Sequence, residues 1–417
     1  MITRSIAPLR QLGPVVSRYF LSIALVSFAV DGGVVAVLLN LYLARLSYGP
    51  EQIGLVNSAG SLVFALVSLP AGMLGQRFGS RRMLVIGLGI LAGGCLLLPL
   101  ADLLPATQRL GWLIGQIIVV YTGLAIYFVN TAPFLLSVIE AARRNALFSL
   151  QTGLSSFAAF VGSLLGGLLP PLCAAIFGLS ADDPAAYRYA LLLAAVALLP
   201  GIVALRALPD ARSGHASEAQ RPPARGTAPS ALRALVGLLA LIALVRTLQV
   251  SGLAVVSSFF NVYLDAALRL PSAQIGAIIA AGRLLGVPAA LATGRLTARF
   301  GNRAVVIGAT LGTAVSILPL ALIPHWGAAG FGFIGVIGFS WVRYAASLVY
   351  FLELVPPQHR ATVSGVTEMA AGVCFTLLTF SGGYIIALLG FQTLFLLGAA
   401  ITALSAGVFW LLFRSRP

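Results

Sequence analysis

Twelve long apolar segments, separated by short polar turns, dominate this chain of 417 residues. A helix that crosses a membrane needs about 20 mostly apolar residues, because the hydrocarbon layer is about 30 Å thick. The segments lie at roughly 19–44, 52–75, 82–104, 109–138, 145–177, 187–207, 236–264, 272–297, 303–323, 328–354, 361–387 and 391–413. Backbone groups inside lipid must bond within their own segment, which favours helices. The sequence therefore predicts an all-α integral membrane protein with twelve transmembrane helices.

The charged residues indicate how these helices are oriented. The chain is 59% hydrophobic and 9% charged, which excludes an ordinary water-soluble protein, and all 26 basic residues are Arg. If the N-terminus is cytoplasmic, 19 Arg lie on the cytoplasmic side and four outside. This bias predicts that both termini face the cytoplasm, in a multi-pass protein of the cytoplasmic (inner) membrane. The net charge of +15 is then an orientation signal towards the lipid bilayer, and no nucleic-acid partner is expected.

A polar stretch at 209–233, rich in Pro, Ser, Ala and Arg, divides the twelve segments six and six. We predict an N-terminal six-helix bundle at 1–208, a cytoplasmic linker at 209–233 and a C-terminal six-helix bundle at 234–417. The halves share landmarks at an offset of 221 or 222: 40–43 matches 261–264, 52–54 matches 274–276, and 72–81 matches 294–303. Because each half begins inside and has six spans, the repeat predicts bundles related by a pseudo-two-fold axis along the membrane normal.

The third landmark is a short inside loop that occurs twice. Gly79 and Gly301 can adopt a positive φ in a tight turn, and Gly72 and Gly294 can allow close helix approach. The loop residues that we expect to act as conformational switches are Gly72, Gln76, Arg77, Gly79, Arg81, Arg82, Gly294, Arg299, Gly301 and Arg303.

These two loops resemble the signature of the major facilitator superfamily (MFS), and the resemblance extends over nearly the whole chain. It implies the MFS fold of two six-helix bundles and transport by alternating access. Glu353 and Arg360 match a second family feature before the eleventh span and belong to the same switch. Two departures are notable. The loop acid of the family is Gln76 in one copy and Ala298 in the other, and the fourth-span Arg of many drug/proton antiporters is absent.

Five ionisable residues fall inside the predicted spans: Asp31, Arg246, Arg283, Arg343 and Glu368. Such residues cost about 2.5–3.5 kcal/mol each at the helix centre and commonly face a cavity or a charged partner. They occupy spans 1, 7, 8, 10 and 11, which the resemblance assigns to the lining of a central cavity.

Asp31 is the main candidate for proton coupling, because it lies mid-span beside two glycines and carboxylates form proton relays in transporters. The alternative is that Asp31 pairs permanently with a cavity Arg or caps a broken helix. Glu368 should lie nearer the cytoplasm, either as a coupling partner of Asp31 or as a hydrogen-bonded packing residue.

Arg283 and Arg343 lie near the centres of their spans and remain charged, so neither can carry a proton. They could bind an anionic substrate group or neutralise the two acids, and the sequence leaves both open. Arg246 is expected one or two turns from the inside surface, with its side chain extended to the headgroups. Tyr121, Tyr127 and Asn130 in span 4 are further candidates for substrate binding.

The leading hypothesis is a secondary transporter, acting as a monomer, that moves a small molecule by alternating access. Proton-coupled efflux of a hydrophobic or amphipathic compound is favoured, with import of a small anionic metabolite and lipid or lysolipid translocation as alternatives. No cofactor is expected, and no nucleotide-binding loop is present in the sequence. A membrane enzyme is the remote alternative, since the three His fall in the linker or in loops.

Overall fold

The computed structural model describes residues 13–138, 144–208, 229–356 and 359–413, and this part of the chain is helical with no strand. Thirteen α-helices and one 3-10 helix follow in this order: α1 Pro14–Ala29, α2 Val34–Arg45, α3 Pro50–Phe78, α4 Ser80–Leu97, the 3-10 helix Leu98–Leu103, α5 Ala106–Val138, α6 Arg144–Phe177, α7 Pro184–Val196, α8 Leu199–Arg206, α9 Pro229–Ala266, α10 Ser272–Phe300, α11 Asn302–Leu322, α12 Trp326–Glu353 and α13 Arg360–Leu412.

These helices account for the twelve predicted spans. Ten stretches are long and apolar enough to cross a membrane, judged on the described residues by length and composition. Helices α1 and α2 share the first span, and α7 and α8 share the sixth. Helix α10, with 29 residues, is also long enough to cross a membrane, although part of it lies outside the residues to which this criterion was applied. Helix α13 has 53 residues, about 80 Å of helix, and bends at Gly390, so it provides two passes.

The internal repeat extends to the geometry of the turns. Outside, the turn after α2 contains Ser47 and the turn after α9 contains Arg269, both with the positive φ that non-glycine residues rarely adopt. Inside, Gly79 between α3 and α4 corresponds to Gly301 between α10 and α11, with φ of 89° and 78°. Both pairs are separated by the same offset of 222 residues that the sequence landmarks show. The two copies therefore share backbone conformation as well as residue type.

The chain forms two compact units. The first unit contains Met1–Leu39 and Leu66–Ala219, and the second contains Asn40–Ala65 and Gln220–Pro417. The outer ends of the first two spans thus pack with the second half of the chain. The predicted linker at 209–233 lies mostly outside the described residues, and the division into bundles at 1–208 and 234–417 stays a prediction.

Helix packing in the first unit depends on close backbone approach. Helices α4 and α5 cross at Gly87 and Gly123, where a Cβ on either glycine would collide with backbone atoms of the opposite helix. A Cβ at Gly94, seven residues along α4, would also press on Val120. Small residues at such crossings are typical of helix association in membranes, because they bring the two backbones together.

The second unit buries an aromatic cluster where α12 meets the end of α13. The rings of Tyr350, Phe351, Phe409 and Phe413 lie with centroids 5.1–6.3 Å apart, and all four side chains are buried. Rings at such distances attract each other in addition to burying apolar area. This cluster anchors the cytoplasmic half of α12, the helix that also carries Arg343.

Candidate functional site

The first span is broken at Asp31. Helix α1 ends at Ala29, α2 begins at Val34, and Gly32 between them has a φ of 81°. The whole span covers Pro14–Arg45, so the break lies near its middle. Asp31 is exposed and interacts electrostatically with Tyr121 of α5. Non-helical backbone at membrane depth is tolerated where it lines a water-filled cavity or is covered by protein. An exposed carboxylate at this position therefore fits a water-accessible cavity.

Helix α6 supports this break from the other side. The hydroxyl of Ser163 donates a hydrogen bond of 2.5 Å to the carbonyl of Gly32. A Cβ on Gly162 would collide with the carbonyl of Phe28 and crowd the Cα of Gly33. The glycines thus let α6 approach the non-helical backbone closely, and Ser163 donates to a carbonyl within it. Contacts from α6 therefore stabilise the break within the first unit.

Tyr127 and Asn130, the other two candidates in span 4, form hydrogen bonds within the first unit. Tyr127 is buried, and its hydroxyl shares a hydrogen bond of 2.9 Å with the hydroxyl of Ser22 on α1. The Asn130 amide donates to the carbonyls of Ala71, at 3.3 Å, and of Ile126, at 2.9 Å. Their polar atoms are therefore used within the protein, which favours a packing role. Of the span-4 candidates, Tyr121 is the one associated with Asp31.

Three charged or aromatic side chains meet in the second unit. The guanidinium of Arg246 on α9 lies 5.1 Å from the ring centroid of Tyr344 on α12. The Tyr344 hydroxyl donates a hydrogen bond of 3.1 Å to the carboxylate of Glu368 on α13, which is exposed. Arg246 also interacts electrostatically with Glu368. Glu368 therefore belongs to an interhelical cluster with Tyr344 and Arg246, and Arg246 was not expected there.

Arg246 does not extend to the headgroups, and that expectation is wrong. Its side chain is buried, with 5% of the residue exposed. Helix α9 begins at Pro229, so Arg246 lies 17 residues, or about 26 Å, from the start of the helix.

Arg343 precedes Tyr344 on α12 and is more deeply buried than Arg246, with 1% of the residue exposed. The two guanidinium groups interact electrostatically with each other. Nε and Nη1 of both Arg have no hydrogen-bond partner among the described residues. Arg283 on α10 is half-buried and is not part of the interactions described for this cluster.

The cytoplasmic loops use their Arg residues to cap helices. The Arg81 guanidinium donates to the carbonyl of Arg206, at 2.6 Å, at the C-terminal end of α8. Its repeat counterpart Arg303 donates to the carbonyl of Trp410, at 3.3 Å, near the end of α13. Cations near helix C-termini satisfy free carbonyls and oppose the helix dipole. The sequence repeat predicts the two Arg, but not that spans 6 and 12 are their partners.

The remaining switch residues lie at the cytoplasmic ends of their helices. Glu353 accepts a weak hydrogen bond of 3.4 Å from Asn302 at the start of α11. A Cβ at Gly294 would meet no described atom within 4 Å, and one at Gly72 would make only ordinary contact, so neither glycine is needed for close helix approach. The side chains of this group that are exposed are Gln76, Arg77, Arg82, Arg299, Glu353 and Arg360.

A polar cluster joins the outer ends of the spans within the second unit. Asn40 donates hydrogen bonds to the carbonyl of Ser258, at 2.8 Å, and to the side-chain oxygen of Asn261, at 3.0 Å. Asn40 and Asn261 are counterparts in the internal repeat, so equivalent residues bond to each other. Five residues further along α2, Arg45 forms a bidentate ion pair with Asp265 at 2.7 and 2.8 Å. The repeat indicated the two Asn, but no sequence signal paired Arg45 with Asp265.

Comparison with known proteins gives a consistent result. The family model of the Major Facilitator Superfamily matches residues 21–377 and 239–417. An uncharacterised MFS-type transporter of Mycobacterium tuberculosis is 31% identical over 140 residues, which cover 34% of this chain and 23% of that relative. The match thus spans about a quarter of the relative's length.

The fold is similar to solved transporters. A mutant of the nucleoside transporter NupG superimposes with a TM-score of 0.73 at 15% identity, covering 96% of this chain and 99% of that one. A D-xylose–proton symporter gives 0.73 at 14% identity over 95% and 97%. The xylose transporter XylE from E. coli, in a partially occluded inward-open conformation, gives 0.71 at 14% identity over 97% and 99%.

Three observations agree with one another. The helices form twelve spans in two sequence-related halves, glycine turns lie at equivalent inside positions, and the family match extends over nearly the whole chain. The chain is a multi-pass membrane protein. It belongs to the Major Facilitator Superfamily.

Proposed function

We propose that this protein exports small hydrophobic or amphipathic molecules across the cytoplasmic membrane in exchange for protons. Asp31 is the residue that binds and releases the coupling proton. In this proposal the protein acts as a monomer in the inner membrane, with both termini in the cytoplasm, as the distribution of Arg indicates.

The observation that carries the proposal is the exposed carboxylate of Asp31 at the break of the first span. A charged group at membrane depth is costly and is retained where it contacts water or a partner. The break frees backbone around Asp31, and Ser163 and Gly162 hold that backbone in place. A carboxylate on a fixed support that water can reach is suited to exchange a proton in each transport cycle.

Glu368 is the second acid in the proposed coupling. It is exposed and is hydrogen-bonded to Tyr344, which in turn lies against Arg246. A change in the protonation of Glu368 would alter the bond to Tyr344 and the charge that Arg246 experiences. This gives the second unit a route by which protonation and substrate binding affect each other.

Two sets of contacts, one at the outer ends of the spans and one at the inner ends, support alternating access. The Arg45–Asp265 ion pair and the Asn40–Asn261 bond join the outer ends of the spans. On the inside, Arg81 and Arg303 cap helix ends beside the short loops. Opening the outer side requires the first set to break, so these bonds stabilise the outward-closed state.

Uptake of a small anionic metabolite is the second candidate. The observation that favours it is the buried guanidinium of Arg343, whose Nε and Nη1 have no partner among the described residues. An exporter and an importer of an anion could use the same binding site. They differ in whether the anion moves against the protons or with them. A transport assay with an imposed gradient separates them.

The test is transport by the purified chain in liposomes with an imposed pH gradient, screening lipophilic cations against organic anions. Exchange predicts that substrate and protons move in opposite directions. Asp31→Asn should lose gradient-driven transport at least 100-fold but retain substrate counterflow, which needs no net proton movement. The matched control is Asp182→Asn, at an exposed residue in the turn before α7, which should transport normally.

Wild-type rates and an unchanged pH dependence in Asp31→Asn would contradict the assignment of Asp31. Movement of substrate and protons in the same direction would exclude exchange and favour uptake.

A further inference from the structure

The geometry points to a binding site for an anionic, oxygen-bearing group of the transported molecule, formed by Arg246 and Arg343 within the second unit. This inference rests on the proposed transport function and names the chemical class of its substrate. The transported molecule then has an apolar body with a sulfonate, phosphate or carboxylate group at one end.

The first argument is the burial of two like charges that interact with each other. Arg343 and Arg246 are 1% and 5% exposed, and their guanidinium groups repel each other electrostatically. A buried charge is costly unless it is paired and hydrogen-bonded, and removing it from water near a second cation adds to that cost. A chain that keeps both residues in this arrangement leaves a positive site that an anion would complete.

The second argument is the state of the guanidinium donors. Nε and Nη1 of each Arg are buried and have no partner among the described residues. Buried donors in native proteins are nearly always bonded, so four unpartnered donors at one place indicate an absent acceptor. The planar guanidinium fork matches oxyanions such as carboxylate and phosphate, which accept hydrogen bonds and donate none.

The third argument is the charge balance of the cluster. Glu368 is the acid whose charge acts on Arg246, and one of its oxygens already accepts a hydrogen bond from the Tyr344 hydroxyl. Two guanidinium groups against one carboxylate leave an excess of one positive charge. A monoanion would balance this excess.

The surroundings supply the remaining features of a site. Gln249, one turn along α9 from Arg246, is fully buried, and both its amide atoms lack partners among the described residues. Arg246 also lines a narrow, nearly filled cavity with about 10 Å³ of free space, together with Tyr344, Ser347, Leu348 and Phe351.

The experiment is binding to the full chain in nanodiscs of zwitterionic lipid, measured by isothermal titration without a pH gradient. Four probes share one aromatic body: naphthalene-1-sulfonate, 1-naphthyl phosphate, 1-naphthoate and 1-naphthyltrimethylammonium. At least one anion should bind ten-fold or more tightly than the cation, and the order of the three anions identifies the preferred oxyanion. Arg246→Gln and Arg343→Gln should each weaken binding of that anion at least ten-fold.

Arg233→Gln is the matched control, since Arg233 lies on the same helix but is exposed, and it should bind as the wild type does. Arg343→Lys keeps the charge without the guanidinium fork and should bind with intermediate affinity. Three outcomes overturn the inference: equal affinity for cation and anions, unchanged anion binding in both Gln variants, or failure of both Gln variants to fold. The last would show that the two Arg have structural partners within the protein.

This experiment is separate from the test of proton exchange. Asp31→Asn should bind the preferred anion with wild-type affinity even though gradient-driven transport is lost. If anion binding fails while wild-type transport remains coupled to protons, the site is wrong and the proposed function stands. If anions bind but no substrate moves with the gradient, the site stands and the proposed function is wrong.

Discussion

Buried polar groups are treated differently in the two units of this transporter. In the first unit, Tyr127 bonds to Ser22, and Asn130 bonds to the carbonyls of a neighbouring helix and of its own. In the second unit, Arg343 and Gln249 are just as deeply buried, but Nε and Nη1 of Arg343 and both amide atoms of Gln249 lack partners in the described part of the chain. Paired polar groups hold helices in register, whereas unpaired ones lower stability until a ligand binds. The difference separates a supporting region from a candidate binding region.

The largest effect should come from the close backbone contact that supports the Asp31 break. Gly162→Val places side-chain atoms against the carbonyl of Phe28, which cannot move aside cheaply. We expect a loss of more than about 3 kcal/mol of stability, since overpacking against backbone exceeds the usual cost. Gly153→Val on the same helix meets no described atom within 4 Å of the added Cβ and should lose under about 1 kcal/mol.

The measurement is the unfolding midpoint of both variants in the same nanodiscs. Equal stability of the two would show that the contact between α6 and the break is not tight. The account of a rigidly supported Asp31 would then fail.

A smaller effect, with opposite signs in the two units, should follow from replacing a buried amide by an apolar side chain of similar size. Asn130→Leu removes two hydrogen bonds and should cost about 1 kcal/mol. Gln249→Met removes an amide that has no described partner and should increase stability by about 1 kcal/mol. Thermal unfolding of both variants without ligand gives the comparison. Destabilisation of similar size in both would mean that Gln249 has a partner and that the units do not differ.

The sequence predicts the spans of this protein well because the membrane imposes a simple rule of length and hydropathy. The repeat also predicts the inside turns, since a one-residue connection between long helices requires a positive φ at Gly79 and Gly301. Asp31 and the glycines after it mark an unusual position, and the structure adds that the helix is interrupted there.

What the sequence could not provide is the direction in which a side chain points. Hydropathy gives the depth of Arg246 only from an estimated start of the helix, and it gives no rotation about the helix axis. Both are set by packing between α9 and its neighbours, so the burial of Arg246 against Tyr344 required coordinates. For the same reason, Tyr127 and Asn130 could not be distinguished from Tyr121 by sequence, although their hydroxyl and amide groups are used within the first unit.

The central claim is that Arg246 and Arg343 in the second unit are arranged for an anion and not for partners within the protein. The most direct test is the unfolding midpoint of the wild type and of the double variant Arg246→Gln, Arg343→Gln, each with and without naphthalene-1-sulfonate. At a free probe concentration about 100 times its Kd, the wild type should gain about 2.7 kcal/mol. The double variant should be at least as stable as the wild type when empty and should not respond to the probe. A double variant that is less stable when empty and still responds like the wild type would contradict the claim.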